Sequence, residues 1–342
     1  MPTTDPPPDD DPGDLPLVTE SARVVDVSPL DHNRTDEVAR RAADLLVERD
    51  RPDLLDRDGD GPPDVDWDGV ADLLDDDEGA EQLRHLRERH ERPYPSLLSV
   101  SVDVDDAVEF LPGQFFALRF DDTPRAYSAA NSPADGGIEF CIRRVPDGRL
   151  TADLFEHVEV GDEVTVRGPN GEFVARDPSD RDAALLATGT GVAPLRSIIR
   201  YVFQEGEDSF EGEQRDIWLF LGCSWADDLA YHDEFRKLAD DHDNFHFVPT
   251  LTRESYLTDW DGETDYVQQA FVKYLADDAD ADLSEELAPY REESPNTDIE
   301  ARIDPESLDV YACGVSAMVE QLVDAVTDVG VPDEFVSAEG YG

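Results

Sequence analysis

The sequence predicts a small antiparallel β-barrel followed by a doubly wound α/β domain with a parallel sheet, and a helical insertion near the N-terminus. Short strand-like segments separated by Pro, Gly and Asp between residues 97 and 166 are typical of a barrel. A continuous apolar run at 183–187 indicates a buried parallel strand, and a glycine-rich turn and a helix-spaced segment follow it. The 342 residues are sufficient for two such domains.

The N-terminal part of the chain divides into a tail, a strand and a helical segment. Residues 1–21 are rich in Pro and Asp and poor in large apolar side chains, so we expect a disordered acidic tail. A strand-like pattern begins at Ala22, and apolar residues at helical spacing follow between 33 and 93. We interpret 33–93 as an insertion in a barrel domain at 22–178, with a separate N-terminal domain as the alternative. Four arginines of this segment could bind an acidic partner or simply pair with neighbouring glutamates on a solvated helix: Arg84, Arg87, Arg89 and Arg92.

Both domains are expected to contain several regularly spaced strands. In the barrel we expect strands at 97–104, 113–120, 138–145 and 163–166. In the second domain, residues 181–342, we expect strands at 183–187, 217–221, 245–248 and 310–312, with helical stretches between them. Residues 276–306 are acidic and poor in apolar side chains, which predicts a loop or a solvated excursion.

Charge and composition exclude several classes of protein. Asp and Glu number 83 against 28 Lys and Arg, a net charge of −55, so a basic nucleic-acid-binding surface is excluded. No stretch approaches the roughly 18 uninterrupted apolar residues of a membrane span, and no signal pattern begins the sequence. Hydrophobic residues make up 39% of the chain, which is enough for a core. Because molar salt screens such self-repulsion, we expect a cytoplasmic, halophilic protein of the haloarchaeal kind.

The cysteines and histidines predict neither a disulfide framework nor a metal site. Cys141, Cys223 and Cys313 show no C-x-x-C spacing, so a protein-bound iron–sulfur cluster is not expected. We expect Cys223 to be a small buried residue rather than a participant in chemistry. The seven histidines have no ligand-like spacing, and the calcium-like run Asp56-x-Asp58-x-Asp60-Gly61 has Trp67 instead of Glu at its twelfth position.

A glycine-rich turn follows the buried strand at 183–187. In Gly189-Thr190-Gly191-Val192-Ala193-Pro194, glycines would let the backbone approach a pyrophosphate, and the following helix would offer free N–H groups and a positive dipole end. An ordinary tight turn is the alternative interpretation. Residues 181–204 carry three arginines and one aspartate in this very acidic chain, which favours phosphate binding.

A second candidate site lies in the predicted barrel. Arg125-Ala126-Tyr127-Ser128 combines an arginine for phosphate, an aromatic ring for stacking and a hydroxyl, which together suit a flavin. Cys141-Ile142-Arg143 and Gly148-Arg149-Leu150-Thr151 could complete a diphosphate site. Without its neighbours, Ser128 would be interpreted as a turn serine.

These motifs, together with Gly168-Pro169-x-Gly171, Tyr311-Ala312-Cys313-Gly314 and Glu339-x-Tyr341, follow one another in the order found in ferredoxin–NADP reductases. The chain resembles the plant-type branch of that family over about 95–275 and 303–342. The resemblance implies an FAD-binding barrel, a NAD(P)-binding α/β domain and chemistry at the cleft between them. Gly342 is a departure, since plant enzymes end on the aromatic residue.

The resemblance also implies roles for individual residues. Arg125 would bind an FAD phosphate, Tyr127 would stack on the isoalloxazine, and Ser128 would form a hydrogen bond near the reactive flavin nitrogen. Cys313 and Glu339 would lie near the nicotinamide, and Tyr341 would cover the other flavin face and move before hydride transfer. The predicted cofactor-binding residues are Arg125, Tyr127, Ser128, Cys141, Ile142, Arg143, Gly148, Thr151, Gly189, Thr190, Gly191, Val192, Asp228, Arg253, Tyr266, Cys313 and Gly314, and the predicted catalytic residues are Ser128, Cys313, Glu339 and Tyr341.

The sequence leaves the preferred nucleotide and the electron acceptor open. The resemblance implies that Thr252-Arg253-Glu254 and Tyr266-Val267-Gln268 stand where NADPH-specific members of the family hold the extra ribose phosphate, whereas Asp227 and Asp228, where plant enzymes carry serines, would favour NADH. We expect an FAD enzyme that exchanges hydride with NADPH or NADH and single electrons with a separate carrier, ferredoxin being the first candidate. The alternatives are an NADH-dependent reductase component for an oxygenase, a nitrate reductase or a cytochrome, and a non-enzymatic scaffold or sensor.

Overall fold

The computed structural model describes residues 15–56, 61–74, 80–104, 108–120, 123–145, 148–279 and 281–341. Residues 1–14 of the expected tail, Asp58 and Asp60 of the calcium-like run, and Gly342 lie outside the described residues. The strands are β1 (Val18–Pro29), β2 (Leu55–Asp56), β3 (Asp64–Val65), β4 (Leu97–Val104), β5 (Phe115–Phe120), β6 (Thr123–Ser128), β7 (Ile138–Arg143), β8 (Glu163–Asn170), β9 (Asp182–Thr188), β10 (Ser209–Phe210), β11 (Glu213–Gln214), β12 (Ile217–Cys223), β13 (Phe245–Leu251), β14 (Leu308–Val315) and β15 (Val336–Tyr341). The helices are α1 (Thr35–Glu48), α2 (Trp67–Leu74), α3 (Glu81–Glu91), α4 (Arg149–His157), α5 (Val192–Glu205), α6 (His232–Asp241), α7 (Val267–Lys273), α8 (Ala288–Arg291) and α9 (Ser316–Asp328).

Six antiparallel strands form a nearly closed barrel in the order β6-β5-β8-β1-β4-β7. A bridge between Ala129 and Phe140 joins the two edges of this sheet. Alternate side chains such as Val100 and Val102 of β4 point inward and are buried, as the two-residue period of a strand requires. The predicted antiparallel barrel is confirmed.

The first barrel strand begins earlier than the sequence predicted. Val18–Ser21, which we assigned to the disordered tail, pairs with β8 in the register Val18↔Gly168 to Ser21↔Thr165. The prediction was wrong for these four residues because backbone hydrogen bonds, rather than buried apolar side chains, hold this end of β1.

The helical insertion lies in the chain between β1 and β4, which pair with each other in the barrel. Its helices α1, α2 and α3 share a core with fully buried Val38, Leu46, Leu83 and Leu86. Trp225 and Leu257 of the second domain belong to the same core. The insertion is therefore packed against the second domain.

The second domain contains a parallel sheet in the order β13-β12-β9-β14-β15. Its two faces are covered by separate apolar cores, one containing Leu195 and Ile198 of α5 and the other Phe271 of α7 and Leu322 of α9. The chain order reverses direction at β9, which pairs with both β12 and β14. This confirms the doubly wound domain, and the carboxyl ends of β9 and β14 form its switch point, where such sheets bind ligands.

The acidic segment 276–306 connects α7 to β14 and contains the short helix α8. Leu287 and Ile303 are buried in the core of the sheet, so part of the segment packs on the domain. Lys273 Nζ lies 3.0 Å from Glu293 Oε2 and 3.2 Å from Glu263 Oε2, which ties the segment to the chain preceding α7. Among the described helices, none is long and apolar enough to cross a bilayer.

Candidate functional site

The turn after β9 brings the backbone close to the end of β14. A Cβ atom at Gly191 would lie 2.2 Å from the carbonyl oxygen of Cys313, and one at Gly314 would lie 2.2 Å from Thr188 Oγ1. Gly189 has a φ of +54°, in the left-handed region that glycine adopts without strain. The glycines of this motif thus allow the two central strands to meet closely just before α5 begins. Val192 itself is fully buried in the core.

A cavity of about 460 Å³ lies at the carboxyl ends of the parallel strands. Side chains of the second domain, of β7 in the barrel and of α3 in the insertion line it together. Seven of the predicted site residues are brought together here: Arg143, Gly189, Thr190, Asp228, Arg253, Tyr266 and Tyr341.

Tyr341 lies at the end of β15 and lines this cavity. Its hydroxyl donates to the carbonyl oxygen of Thr188 at 3.3 Å and lies 3.0 Å from Thr190 Oγ1. Burial raises the pKa of Tyr341 to about 12, so the hydroxyl is protonated at neutral pH. These contacts place the ring across the glycine-rich turn, while the residue stays 39% exposed.

Cys313 and Glu339 are neighbours across the β14–β15 pair. Burial raises the pKa of the Cys313 thiol well above its ordinary range, so the thiol is neutral at neutral pH. Burial also raises the pKa of the half-buried Glu339 carboxyl. Glu339 Oε1 lies 3.6 Å from the position a Cβ atom would take at Gly171, at the end of β8. The predicted nicotinamide-side residues thus lie where the second domain meets the barrel.

Arg125, Tyr127 and Ser128 lie on β6 in the barrel. The Arg125 guanidinium is exposed and donates to the carbonyl oxygen of Pro124 at 2.9 Å. The Tyr127 ring is half-buried, with its centroid 6.3 Å from that of Phe140. Burial raises the pKa of Tyr127 to about 12, against the lowering effect of Arg125. An exposed guanidinium beside a partly buried ring fits the phosphate and ring of a dinucleotide.

The diphosphate motif forms the start of α4. Gly148 precedes the helix without a side-chain cap, so the first N–H groups of the helix suit an anion. The Thr151 hydroxyl lies 3.2 Å from the carbonyl oxygens of Val145 and Gly148, and it accepts from the Val145 N–H. Thr151 therefore shapes this turn, and the helix N-terminus is the group that fits a phosphate.

Cys141 and Ile142 on β7 do not present side chains to the cavity. Cys141 packs in the core shared with the second domain, and Ile142 is fully buried in the barrel core. Burial raises the pKa of the Cys141 thiol to about 12. Since β7 is an edge strand of the sheet, its backbone is the part of this motif that suits a ligand.

Two comparisons with protein families match the two halves of this arrangement. The family model described as the oxidoreductase FAD-binding domain matches residues 96–174, and the model described as the oxidoreductase NAD-binding domain matches residues 185–324. Together they cover more than half of the chain. This chain belongs to the FAD- and NAD-binding oxidoreductases. The predicted cofactors, FAD and a nicotinamide nucleotide, are those of this family.

Several relatives of this oxidoreductase are reductases. The chain is 31% identical over 184 residues to the phenol hydroxylase P5 protein of Acinetobacter pittii, covering 53% of this chain and 50% of that protein. It is 30% identical over 252 residues to the ferredoxin–NAD(P)+ reductase component of the naphthalene 1,2-dioxygenase system of Pseudomonas putida, covering 73% of this chain and 66% of that protein. The chain thus spans about half to two thirds of the length of these relatives.

Solved structures share the fold of this oxidoreductase. The ferredoxin reductase in carbazole 1,9a-dioxygenase matches with a TM-score of 0.62 and 21% identity over 96% of this chain and 71% of that one. A ferredoxin NADP+ reductase from Neisseria gonorrhoeae, solved with FAD and NADP, matches with a TM-score of 0.56 and 21% identity over 72% of this chain and 93% of that one. Neither family model includes the helical insertion.

The structure corrects our expectation for Asp228. One of the two nucleotide preferences that the sequence left open needs a carboxylate that is free to accept ribose hydroxyls, but Asp228 is only 4% exposed, and its Oδ1 lies 2.7 Å from Arg92 and 3.0 Å from Arg143. Two guanidinium groups therefore neutralise it. The sequence could not show this because Arg92 comes from the insertion, 136 residues away.

The arginines of the insertion were also interpreted wrongly in part. Arg89 is 5% exposed and contacts Asp227 Oδ2, while Arg92 Nη2 lies 3.2 Å from the same oxygen. These two side chains face the oxidoreductase's own second domain, not a solvated surface or an acidic partner. Arg34, which precedes α1, adds contacts of 3.5 Å to Asp227 and 2.9 Å to Glu254.

Several cavity-lining residues were not among the predicted site residues. Half-buried Cys223 lines the cavity, and its thiol donates to the Asp228 carbonyl oxygen at 3.3 Å. Ser224 and Trp225 follow β12, Thr252 follows β13, Val315 ends β14, and Met318 lies in the first turn of α9. Their positions after the predicted strands could have indicated them. Glu88, Arg89 and Arg92 come from the insertion and carried no such signal. Among the described residues, no group of three or more His, Cys, Asp or Glu side chains could hold a metal ion.

Proposed function

We propose that this protein is an FAD-dependent reductase that exchanges hydride with a nicotinamide nucleotide and passes single electrons to a separate acceptor. One observation carries the proposal. The glycine-rich turn and Tyr341 of the NAD-binding domain line the same cavity as Arg143 of the FAD-binding barrel. A nucleotide bound at the switch point would therefore lie beside a flavin held by the barrel.

The bound FAD would accept or donate hydride and divide the electron pair into single electrons. The protein's residues bind and orient the two cofactors. Arg125 and the N-terminus of α4 would hold the diphosphate, Tyr127 would support the ring, and Ser128 would contact its edge. Tyr341 would exclude water from the cavity until the nicotinamide takes its position.

The acceptor is proposed from the relatives and from the cysteine content. Relatives include reductase components of oxygenase systems and a ferredoxin–NAD(P)+ reductase. The sequence holds three cysteines, whereas a typical iron–sulfur cluster takes four. We therefore propose a one-electron acceptor outside this sequence, either a ferredoxin or an oxygenase component. We also propose that the flavin site resembles that of the plant-type reductases. The net charge of −55 supports a cytoplasmic location in a salt-loaded, haloarchaeal cell.

Ser128→Val tests the flavin side of the proposal. The variant should retain FAD yet be reduced by NAD(P)H at least tenfold more slowly, because a positioned hydroxyl near the reacting atoms is lost. Stopped-flow flavin bleaching in molar KCl measures the rate. Ser21→Val, at an exposed position of β1, is the matched control and should keep the wild-type rate. A wild-type rate in Ser128→Val would contradict the assignment.

The acceptor is tested by steady-state turnover with each nucleotide and with a ferredoxin or a cytochrome as electron acceptor. Reduction of ferredoxin supports the first candidate, and reduction of the cytochrome alone supports the alternative. Flavin bleaching without transfer to either protein would contradict the proposed one-electron step.

A further inference from the structure

Glu88 of the insertion and Arg253 of the second domain meet at the wall of the nucleotide cavity. Arg253 Nη1 lies 3.2 Å from Glu88 Oε2, with side-chain exposures of 35% and 53%. Both residues line the cavity. Arg253 follows the end of β13 by two residues, so it stands at the carboxyl edge of the parallel sheet. The neutralisation of a guanidinium at this edge bears directly on which nucleotide can bind.

NADPH differs from NADH only by a phosphate on the adenosine ribose. In doubly wound domains an arginine accommodates this phosphate, whereas a carboxylate favours the plain ribose. Of the four arginines that line the described cavity, Arg89, Arg92 and Arg143 contact buried Asp227 or Asp228. Arg253 is thus the guanidinium best placed to meet an added phosphate, and its partner in the structure is Glu88.

The insertion holds Glu88 in position. Leu83 and Leu86 of the same helix are fully buried in the core that α3 shares with Trp225. Arg89, the next residue, is anchored on Asp227, and His85 Nδ1 lies 3.2 Å from Glu88 Oε2. Helix α3 therefore cannot move away from the cavity without breaking buried contacts, and the Glu88–Arg253 pair opens by rotation of either side chain.

We propose that α3 forms one wall of the nucleotide site and that Glu88 makes the protein select the nucleotide without a 2′-phosphate. This inference rests on the proposed function, because it assigns the cavity to the nicotinamide nucleotide. Glu88 acts in two ways: it neutralises Arg253, and it places a carboxylate where a phosphate dianion would be repelled. Specificity is thereby set by a segment that lies outside both family models.

The test is binding of 5′-AMP and of adenosine 2′,5′-bisphosphate to the FAD-loaded protein, measured by isothermal titration calorimetry in molar KCl. The wild type should bind 5′-AMP more tightly. Glu88→Gln should shift the ratio of the two dissociation constants toward the bisphosphate by about fivefold. The Glu88–Arg253 contact of 3.2 Å is close to the screening length of about 3 Å at 1 M salt, so salt weakens the effect of the Glu88 charge without removing it. Arg253→Gln added to Glu88→Gln should abolish this gain.

Glu91→Gln is the matched control, because it removes the same charge from the same helix at an exposed pair with Arg87. It should leave the ratio unchanged. A wild type that prefers the bisphosphate, a shift of less than threefold in Glu88→Gln, or failure of both probes to bind would overturn the inference. The proposed function fails separately, if neither NADH nor NADPH bleaches the flavin while the two adenosine probes still bind.

Discussion

Asp227→Asn tests whether the insertion is an integral part of the fold. The Asp227 side chain is 1% exposed and contacts Arg89, Arg92 and Arg34. The asparagine keeps the shape of the side chain but removes the charge that all three guanidinium groups share. Because arginine does not deprotonate in proteins, the cations must remain charged in the folded state.

The expected loss of unfolding free energy follows from the contacts that each arginine retains in the variant. Arg92 keeps Asp228, and Arg34 keeps Glu37 and Glu254. Arg89 retains the His32 carbonyl oxygen at 3.4 Å and the neutral amide of the new asparagine, so one buried cation is left without a carboxylate. Breaking a buried ion pair from one side costs about 3–5 kcal/mol, and with one cation stranded we expect about 3 kcal/mol.

Urea unfolding at fixed molar KCl measures this loss. With an m-value of about 3 kcal/mol/M, the midpoint should fall by about 1 M. Glu156→Gln is the control, since it breaks the exposed pair with Arg144 at 3.3 Å and should cost less than about 1 kcal/mol. Equal midpoints for Asp227→Asn and Glu156→Gln would refute the claim that this buried cluster holds the insertion on the second domain.

Three further predictions concern the cleft. Gly191→Ala should lower the melting temperature and weaken NAD(P)+ binding, because its Cβ would meet the Cys313 carbonyl oxygen at 2.2 Å; differential scanning calorimetry and a nucleotide titration measure both effects. Tyr341→Ser should strengthen NADP+ or NAD+ binding by about tenfold or more, because the ring held by Thr190 no longer competes for the site; difference spectroscopy of the flavin measures it. Glu339→Gln should gain stability relative to wild type as pH rises, since burial raises the folded-state pKa above the ordinary value of 4.5; melting temperatures across pH 4.5–8 measure it.

The sign of the Glu339 effect follows from proton linkage. The folded protein keeps the carboxyl protonated to a higher pH than the unfolded chain does, so wild-type stability falls as pH rises from 4.5 through the folded-state pKa. The variant lacks this loss. A melting-temperature difference between wild type and Glu339→Gln that does not change with pH would contradict the raised pKa of Glu339. For Tyr341→Ser, unchanged affinity would exclude a gating role, and for Gly191→Ala, wild-type stability would show that the turn can move away from β14.

Local patterns predicted the central strands and the glycine-rich turn well. The run at 183–187 lies inside β9, because a buried parallel strand and its βα turn depend on neighbouring residues. The approach of the turn to β14 was not predicted, and the expected approach to a pyrophosphate stays a prediction. The same reasoning missed β15, an edge strand whose residues are all half-buried or exposed, and the start of β1. Both are held by backbone pairing, which leaves little trace in side-chain hydrophobicity.

The parts of the site that the sequence did not reveal depend on contacts between distant segments. Asp228 looked free because Arg92 and Arg143 lie far from it in the chain. The arginines of α3 looked solvated because glutamates surround them in sequence, yet Arg89 faces inward. These pairs span 85 to 138 residues, so they are a property of the packed domains and insertion, which local periodicity cannot predict.

Anaerobic titration of the purified protein in molar KCl with NADH and NADPH in parallel tests the central claim, that two dinucleotides meet in one cleft. The protein should be yellow, and each titration is continued until the flavin absorbance no longer falls. NADH should bleach the flavin at lower concentration than NADPH. A colourless preparation that added FAD cannot reconstitute, or a bound flavin that neither nucleotide bleaches, would contradict the account.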